Sequence, residues 1–215
     1  MKAMKKAILT LVLAGVVGLV PASAATITGL FNTGVNDMGV VLADGATDTH
    51  YRLTVNPNGV PQQGIVVIGG QFPIPPWILN SSTSKWIGPQ ADQSNFGMEP
   101  VNGNYTYRLT FVCVGLDCGT TVLNGNWSSD NVGNIFLNSS MVSSSMSMFF
   151  GSFTPFSISG LVQGTNTLDF VVNNAGSVPT ASGLRVEISS VPEPGTMMLG
   201  ALGLLAVGLL RRRRP

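Results

Sequence analysis

The stretch "NYTYRLTFVCV", residues 104–114, alternates without a break. Tyr105, Tyr107, Leu109, Phe111 and Cys113 fall on one face, and Thr106, Arg108 and Thr110 on the other. Only a β-strand gives successive side chains opposite directions, so the stretch predicts a strand with one buried face. The same period runs through "HYRLTVN" (50–56), with Tyr51, Leu53 and Val55 inward and His50 opposite them, exposed. It runs through "TLDFVVN" (167–173), with Leu168, Phe170 and Val172 inward and Asp169 as a solvated strand residue. In "GLRVEIS" (183–189), Leu184, Val186 and Ile188 point inward and Arg185 and Glu187 outward. Half-buried antiparallel strands need a second layer to cover them. The expected fold class is therefore all-β, a β-sandwich of roughly nine short strands with no soluble helix. Three Asn-Gly pairs, in "NPNG" (56–59), "VNGN" (101–104) and "LNGN" (123–126), predict tight turns between strands.

Charge is organised by position. Lys2, Lys5 and Lys6 open the chain and Arg211, Arg212, Arg213 and Arg214 close it. Between residues 25 and 190 only Arg52, Lys85, Arg108 and Arg185 face nine acidic residues. That middle is mildly acidic and has no basic patch, which excludes nucleic acid as a partner.

The opening "MKAMKKAILTLVLAGVVGLVPASAAT" reads as a secretory signal peptide, residues 1–24. A basic start is followed by an apolar run from Ala7 to Val20 and a small-residue site, Ala22-Ser23-Ala24. Cleavage is expected after Ala24, with export through the Sec machinery. An uncleaved anchor is the alternative. Residues 25–190 are then one domain's worth of chain, enough to bury a core.

At the other end, residues 191–215, "VPEPGT" leads into an apolar run, Met197–Leu210, and then the four arginines. As a helix that run reaches roughly 21 Å, a marginal span of a ~30 Å hydrocarbon core. The arginines hold the cytoplasmic side and stop transfer, so the bulk of the chain lies outside. Pro192 and Pro194 favour extended backbone, open to a protease. A plain C-terminal anchor would share several of these features. The order Pro192-Glu193-Pro194, apolar helix, Arg211–Arg214 resembles the PEP-CTERM sorting signal of Gram-negative bacteria. The resemblance implies recognition by an exosortase, transient anchoring in the inner membrane, removal of the tail, and delivery to the cell surface or extracellular matrix. It also implies a biofilm and exopolysaccharide setting, but such a tail is an address carried by many unrelated domains.

Cys113 and Cys118 flank "VGLD" after the longest alternating stretch. In an oxidising compartment they can close this turn as a disulfide, contributing roughly 2 kcal/mol on the chain-entropy model. Two cysteines and one remote histidine make no zinc site.

No catalytic arrangement can be assembled. His50 has no nucleophile beside it, no nucleophile elbow or phosphate loop is present, and nothing pairs Asp48, Asp130 and Asp169 for glycoside hydrolysis. The expectation is a protein that is not an enzyme. Carbohydrate binding fits better, because aromatic faces stack on sugar rings while amides and carboxylates fix the hydroxyls. Trp77, Trp86 and Trp127 are the candidates, each weighed against a place in the core. Asp130 and Asn131 could bond a ligand or coordinate calcium, weighed against a turn that bonds its own backbone.

The C-terminal half narrows the fold by likeness. "GNWSSDNVGNIFLNSS", "FFGSFTPFSISGLVQGTNTLDFVVNNAG" and "SGLRVEIS" resemble the jelly-roll sandwich of galactose-binding-like domains. In such domains a Gly-x-Asn-x-Leu turn leads into a core strand. Here it is Gly164-Thr165-Asn166-Thr167-Leu168, with the strand ending at Asn173-Asn174. "DTHYRLTVNP", "SKWIGPQ" and "YTYRLTF" resemble PEP-CTERM proteins of this sandwich type. The resemblance implies an exported, non-catalytic surface or matrix protein associating with extracellular polysaccharide. A structural or protein-binding matrix role without sugar recognition is the alternative, and a hydrolase the third.

Overall fold

Alternation builds strands here because each apolar row finds another to pack on. The computed structural model describes residues 25–94, 99–145, 150–176 and 178–191. The signal peptide with Ala22 and Ala24, the Pro192-Glu193-Pro194 triplet, Met197–Leu210 and Arg211–Arg214 lie outside the described residues. Ala25–Glu193 clusters as one compact unit.

The described residues are all-β, with eleven strands against the nine or so expected. In chain order they are β1 Thr26–Thr28, β2 Thr47–Val55, β3 Gln62–Val66, β4 Ile87–Gly88, β5 Gly103–Val114 and β6 Val122–Asp130. Then follow β7 Val132–Leu137, β8 Ser140–Ser145, β9 Thr154–Ile158, β10 Gly164–Asn174 and β11 Gly183–Val191. All pair into one hydrogen-bonded path, β8-β7-β10-β5-β2-β3-β4-β11-β6-β9, with β1 added on β5. The path curls on itself. Strand β10 meets β6 and β11 across the interior, and the end strands β8 and β9 come together, so the sheet is a nearly closed barrel.

The core lies inside that curl. Tyr105, Tyr107, Leu109, Phe111 and Cys113 of β5 are all buried, as the alternation requires. They meet Leu168, Phe170 and Val172 of β10, Leu184 and Val186 of β11, and Leu123 and Trp127 of β6. The turn before β10 is closed by the buried Asn166, whose Oδ1 accepts from Val162 N at 2.9 Å and whose Nδ2 donates to Val162 O at 2.7 Å. Gly164 takes the positive φ (+93°) that this turn needs. Cys113 and Cys118 form a disulfide across the turn after β5, with Cα atoms 6.0 Å apart.

Several sequence expectations are corrected. Val55 faces solvent, because the β2–β5 register slips between Leu53 and Val55 and a bulge reverses its side. His50 is not exposed. Its ring stacks on Phe31 at 3.6 Å between centroids, and Nε2 bonds Asp37 Oδ1 at 2.9 Å. Asp169 is buried in a two-bond clasp, taking Arg108 Nε and Nη2 at 2.7 Å each. Of the three Asn-Gly pairs, "NPNG" makes the β2–β3 turn and "VNGN" leads into β5. "LNGN" makes no turn and lies inside β6.

Arg185 is on the outer face of β11, as the period says, yet it is buried. The segment 71–86 folds over that face and makes a second small core of Val67, Ile74, Trp77, Trp86 and Ala181. The Trp77 and Trp86 rings pack there with 4.3 Å between centroids.

Candidate functional site: a polar groove on the outer face of β6, β9 and β11

The three tryptophans lie in the interior. Trp77 and Trp86 form the small core under the 71–86 segment, and Trp86 Nε1 donates to Ile78 O at 2.8 Å. Trp127 sits in the main core, 6.0 Å from the Phe170 ring. As placed, none of the three presents a ring face to solvent, so the packing alternative describes their positions. The structure brings Trp77 to both Asp130 and Trp86.

Asp130 and Asn131 also bond the protein itself. Asp130 Oδ2 accepts from Trp77 Nε1 at 2.8 Å, and Oδ1 accepts from Asn131 Nδ2 at 2.7 Å. Asn131 Oδ1 accepts from the Ala175 backbone at 2.8 Å. Burial disfavours the charged form and pushes the Asp130 carboxyl up to about 6, with the Trp77 bond opposing. Among the described residues no group of three or more His, Cys, Asp or Glu stands together as a metal site.

A feature open to a ligand lies elsewhere, on the outer face of β6, β9 and β11, at residues the sequence analysis does not single out as a site. Pairing registers define two rows across these strands. One is Ser157, Asn124, Ser189, and the next is Pro155, Asn126, Glu187. The Asn32 and Thr83 segments wall one side, and the result is an open groove of about 700 Å³. Gly125, between the two asparagines, faces the interior with Leu123 and Trp127. Phe156 occupies that inner side, where a Cβ on Gly125 would fall 2.4 Å from the ring.

The groove's wall is tightly bonded and its floor is not. Asn32 Nδ2 donates to Thr83 O at 3.0 Å and its Oδ1 accepts from Ile188 N at 2.8 Å. Glu187 Oε1 accepts from Thr83 Oγ1 at 2.9 Å and Ser84 Oγ at 2.8 Å. Ser84 Oγ in turn accepts from Arg185 Nε at 2.7 Å. Arg185 Nη2 reaches Ser81 Oγ at 2.8 Å, Nη1 donates to Leu79 O, and the guanidinium lies 4.9 Å from the Phe153 ring centre. Desolvation lowers the Arg185 pKa and the Glu187 carboxylate, 3.5 Å away, opposes that. By contrast the side chains of Asn124, Asn126, Ser157 and Ser189 bond nothing within the described residues.

A signal for this site was present. Asn and Gly are depleted in strands, yet "NGN" interrupts the alternation between Leu123 and Trp127. A local preference at odds with the tertiary assignment often marks function.

Comparison with known proteins bears on the tail. Residues 190–214 match the family model described as the PEP-CTERM protein-sorting motif. The chain is thus a PEP-CTERM-tagged protein of an exosortase-type sorting pathway to the cell surface. No curated protein matches it. One similar solved structure is a family 35 carbohydrate binding module from an environmental isolate. It is 8% identical, over 76% of this chain and 98% of that one, with a TM-score of 0.33. A likeness at that score carries no argument.

Proposed function

We propose that the chain is an exported, non-catalytic surface or matrix protein that associates with extracellular polysaccharide through the groove on β6, β9 and β11. The observation that carries this reading is a groove whose floor presents amides and hydroxyls with no protein partner. Hydroxyl-rich ligands need such groups, since each provides a donor or acceptor that water otherwise satisfies. In the same reading the signal peptide is cleaved after Ala24 and the tail anchors the chain in the inner membrane until an exosortase removes it. The barrel is the jelly-roll of galactose-binding-like domains, supported by the Asn166-closed turn into β10.

The test is pull-down of the mature protein, recovered from the producing cells, on exopolysaccharide from those cells. Calcium and chelator arms address the ion. Saturable binding supports the reading, and none under either condition overturns it. A second reading, self-association as a structural matrix component, is favoured by β8. It ends the sheet path and leaves Met141 and Val142 exposed. Concentration-dependent oligomerisation lost in Val142→Lys would favour it.

A further inference from the structure

We propose that the groove selects uncharged glycans, with Asn124 and Asn126 reading ligand hydroxyls and with polyuronates and other anionic glycans rejected. The inference rests on the polysaccharide reading above and adds the charge class and the deciding residues.

Three observations converge. First, Asn124 and Asn126 stand two apart on β6, so their side chains leave the same face of the strand. Each amide offers both a donor and an acceptor, and neither is used by the protein. A sugar hydroxyl is also donor and acceptor, so an amide pairs with it in either sense. Neighbouring Ser157 and Ser189 extend the row across strands at the ~4.8 Å interstrand spacing.

Second, no cation is offered to a ligand. Arg185 lies beside the groove, in the next row of β11, but its side chain is 3% exposed and its N–H groups are taken by Ser84, Ser81 and Leu79. Lys85 is not in the lining and is bonded to Asp44 at 2.8 Å. A carboxylate entering the groove would lose water and gain no charged donor, a costly exchange.

Third, the lining has one acidic side chain, Glu187, and it is paired from the neighbouring row. Arg185 sits 3.5 Å away, and one Glu187 oxygen holds the Thr83 and Ser84 hydroxyls. The pair leaves the floor close to neutral, which suits a neutral ligand and gives an anionic one no attraction.

The experiment compares binding of the mature protein to a neutral glucan, a neutral galactomannan and polygalacturonate of matched length, by titration calorimetry. At least one neutral glycan should bind, with polygalacturonate at least tenfold weaker. Binding should hold between roughly 0.05 and 0.5 M salt, because no ion pair is formed. Asn124→Ala and Asn126→Ala should each weaken neutral binding about two- to tenfold, the range of a lost neutral hydrogen bond. Asn126→Lys should raise polygalacturonate affinity above that for the neutral glycan. Near-UV circular dichroism confirms that each variant keeps the wild-type fold. Equal or tighter wild-type binding of polygalacturonate overturns the inference, as do alanine variants that bind like wild type. In either case the polysaccharide reading survives. Binding of no glycan of either class overturns both.

Discussion

Gly125→Ala tests the assignment of residues 123–126 to the middle of a strand. A Cβ there would lie 2.4 Å from Phe156 Cζ and 2.5 Å from the Glu187 carbonyl oxygen. Non-bonded carbons rest about 3.5–4.0 Å apart, so the overlap exceeds 1 Å. Neither obstacle yields easily. The Phe156 ring is buried edge-on to Phe170, with centroids 6.2 Å apart, and the carbonyl belongs to the paired strand β11. Overpacking of this kind costs about 1–3 kcal/mol, and a backbone obstacle places it at the upper end. The lost freedom of glycine in the unfolded chain returns about 0.4–1 kcal/mol. The net expectation is about 2 kcal/mol, or a Tm lower by about 4–8 °C for a domain of this size. Thermal and urea unfolding followed by circular dichroism measures it. Gly151→Ala is the control, since a Cβ there meets nothing, and its expected change stays within about 0.5 kcal/mol. Asn124→Ala should be neutral or slightly stabilising, because Asn is a poor strand former and here bonds nothing. A hairpin turn at 123–126 would reverse this pattern. Gly125→Ala within 0.5 kcal/mol of wild type would refute the reasoning.

Other outcomes follow from the same structure. Asp130 has its folded pKa raised to about 6, against roughly 3.9 unfolded, so its ionisation opposes folding. Stability from this group is highest below the unfolded value and falls as pH rises through 6. Asp130→Asn should therefore gain on wild type by about 2 kcal/mol between pH 4.5 and pH 7; a pH-independent difference in urea unfolding would sink this. Reducing the Cys113–Cys118 disulfide should cost roughly 2 kcal/mol from loop closure, read as a lower urea midpoint with dithiothreitol. An unchanged midpoint, with thiols shown to be free, would count against it. Changing Arg211–Arg214 to Ser should leave unprocessed or misoriented chain, seen by mass of the secreted product; normal maturation would contradict the stop-transfer role.

The interior of the barrel was legible in sequence because its cause is local. A two-residue period can bury one face only as a strand, and the rows of β5, β10 and β11 lie where the alternation puts them. The disulfide was legible for the same reason, as its cysteines stand only five positions apart. Failures occurred where a bulge shifted the register, as at Val55, or where a distant segment intervened. Arg185 has the period of a solvated residue, but the 71–86 segment covers it. His50 and Asp169 likewise alternate outward and are then buried by Phe31 and clasped by Arg108. The groove was missed because "NGN" has the chemistry of a turn, and only the Phe156 ring under Gly125 shows why a strand tolerates it.

By itself the sequence determined the inner faces of β5, β10 and β11, the disulfide and the sorting tag, all consequences of neighbours within a few residues. Tertiary structure alone decided which outward faces stay outward. That depends on segments up to a hundred residues away, and it leaves Asn124 and Asn126 unpartnered in the groove while Trp77, Trp86 and Trp127 pack inside. Burial is a property of what folds over a face, and no local period records it.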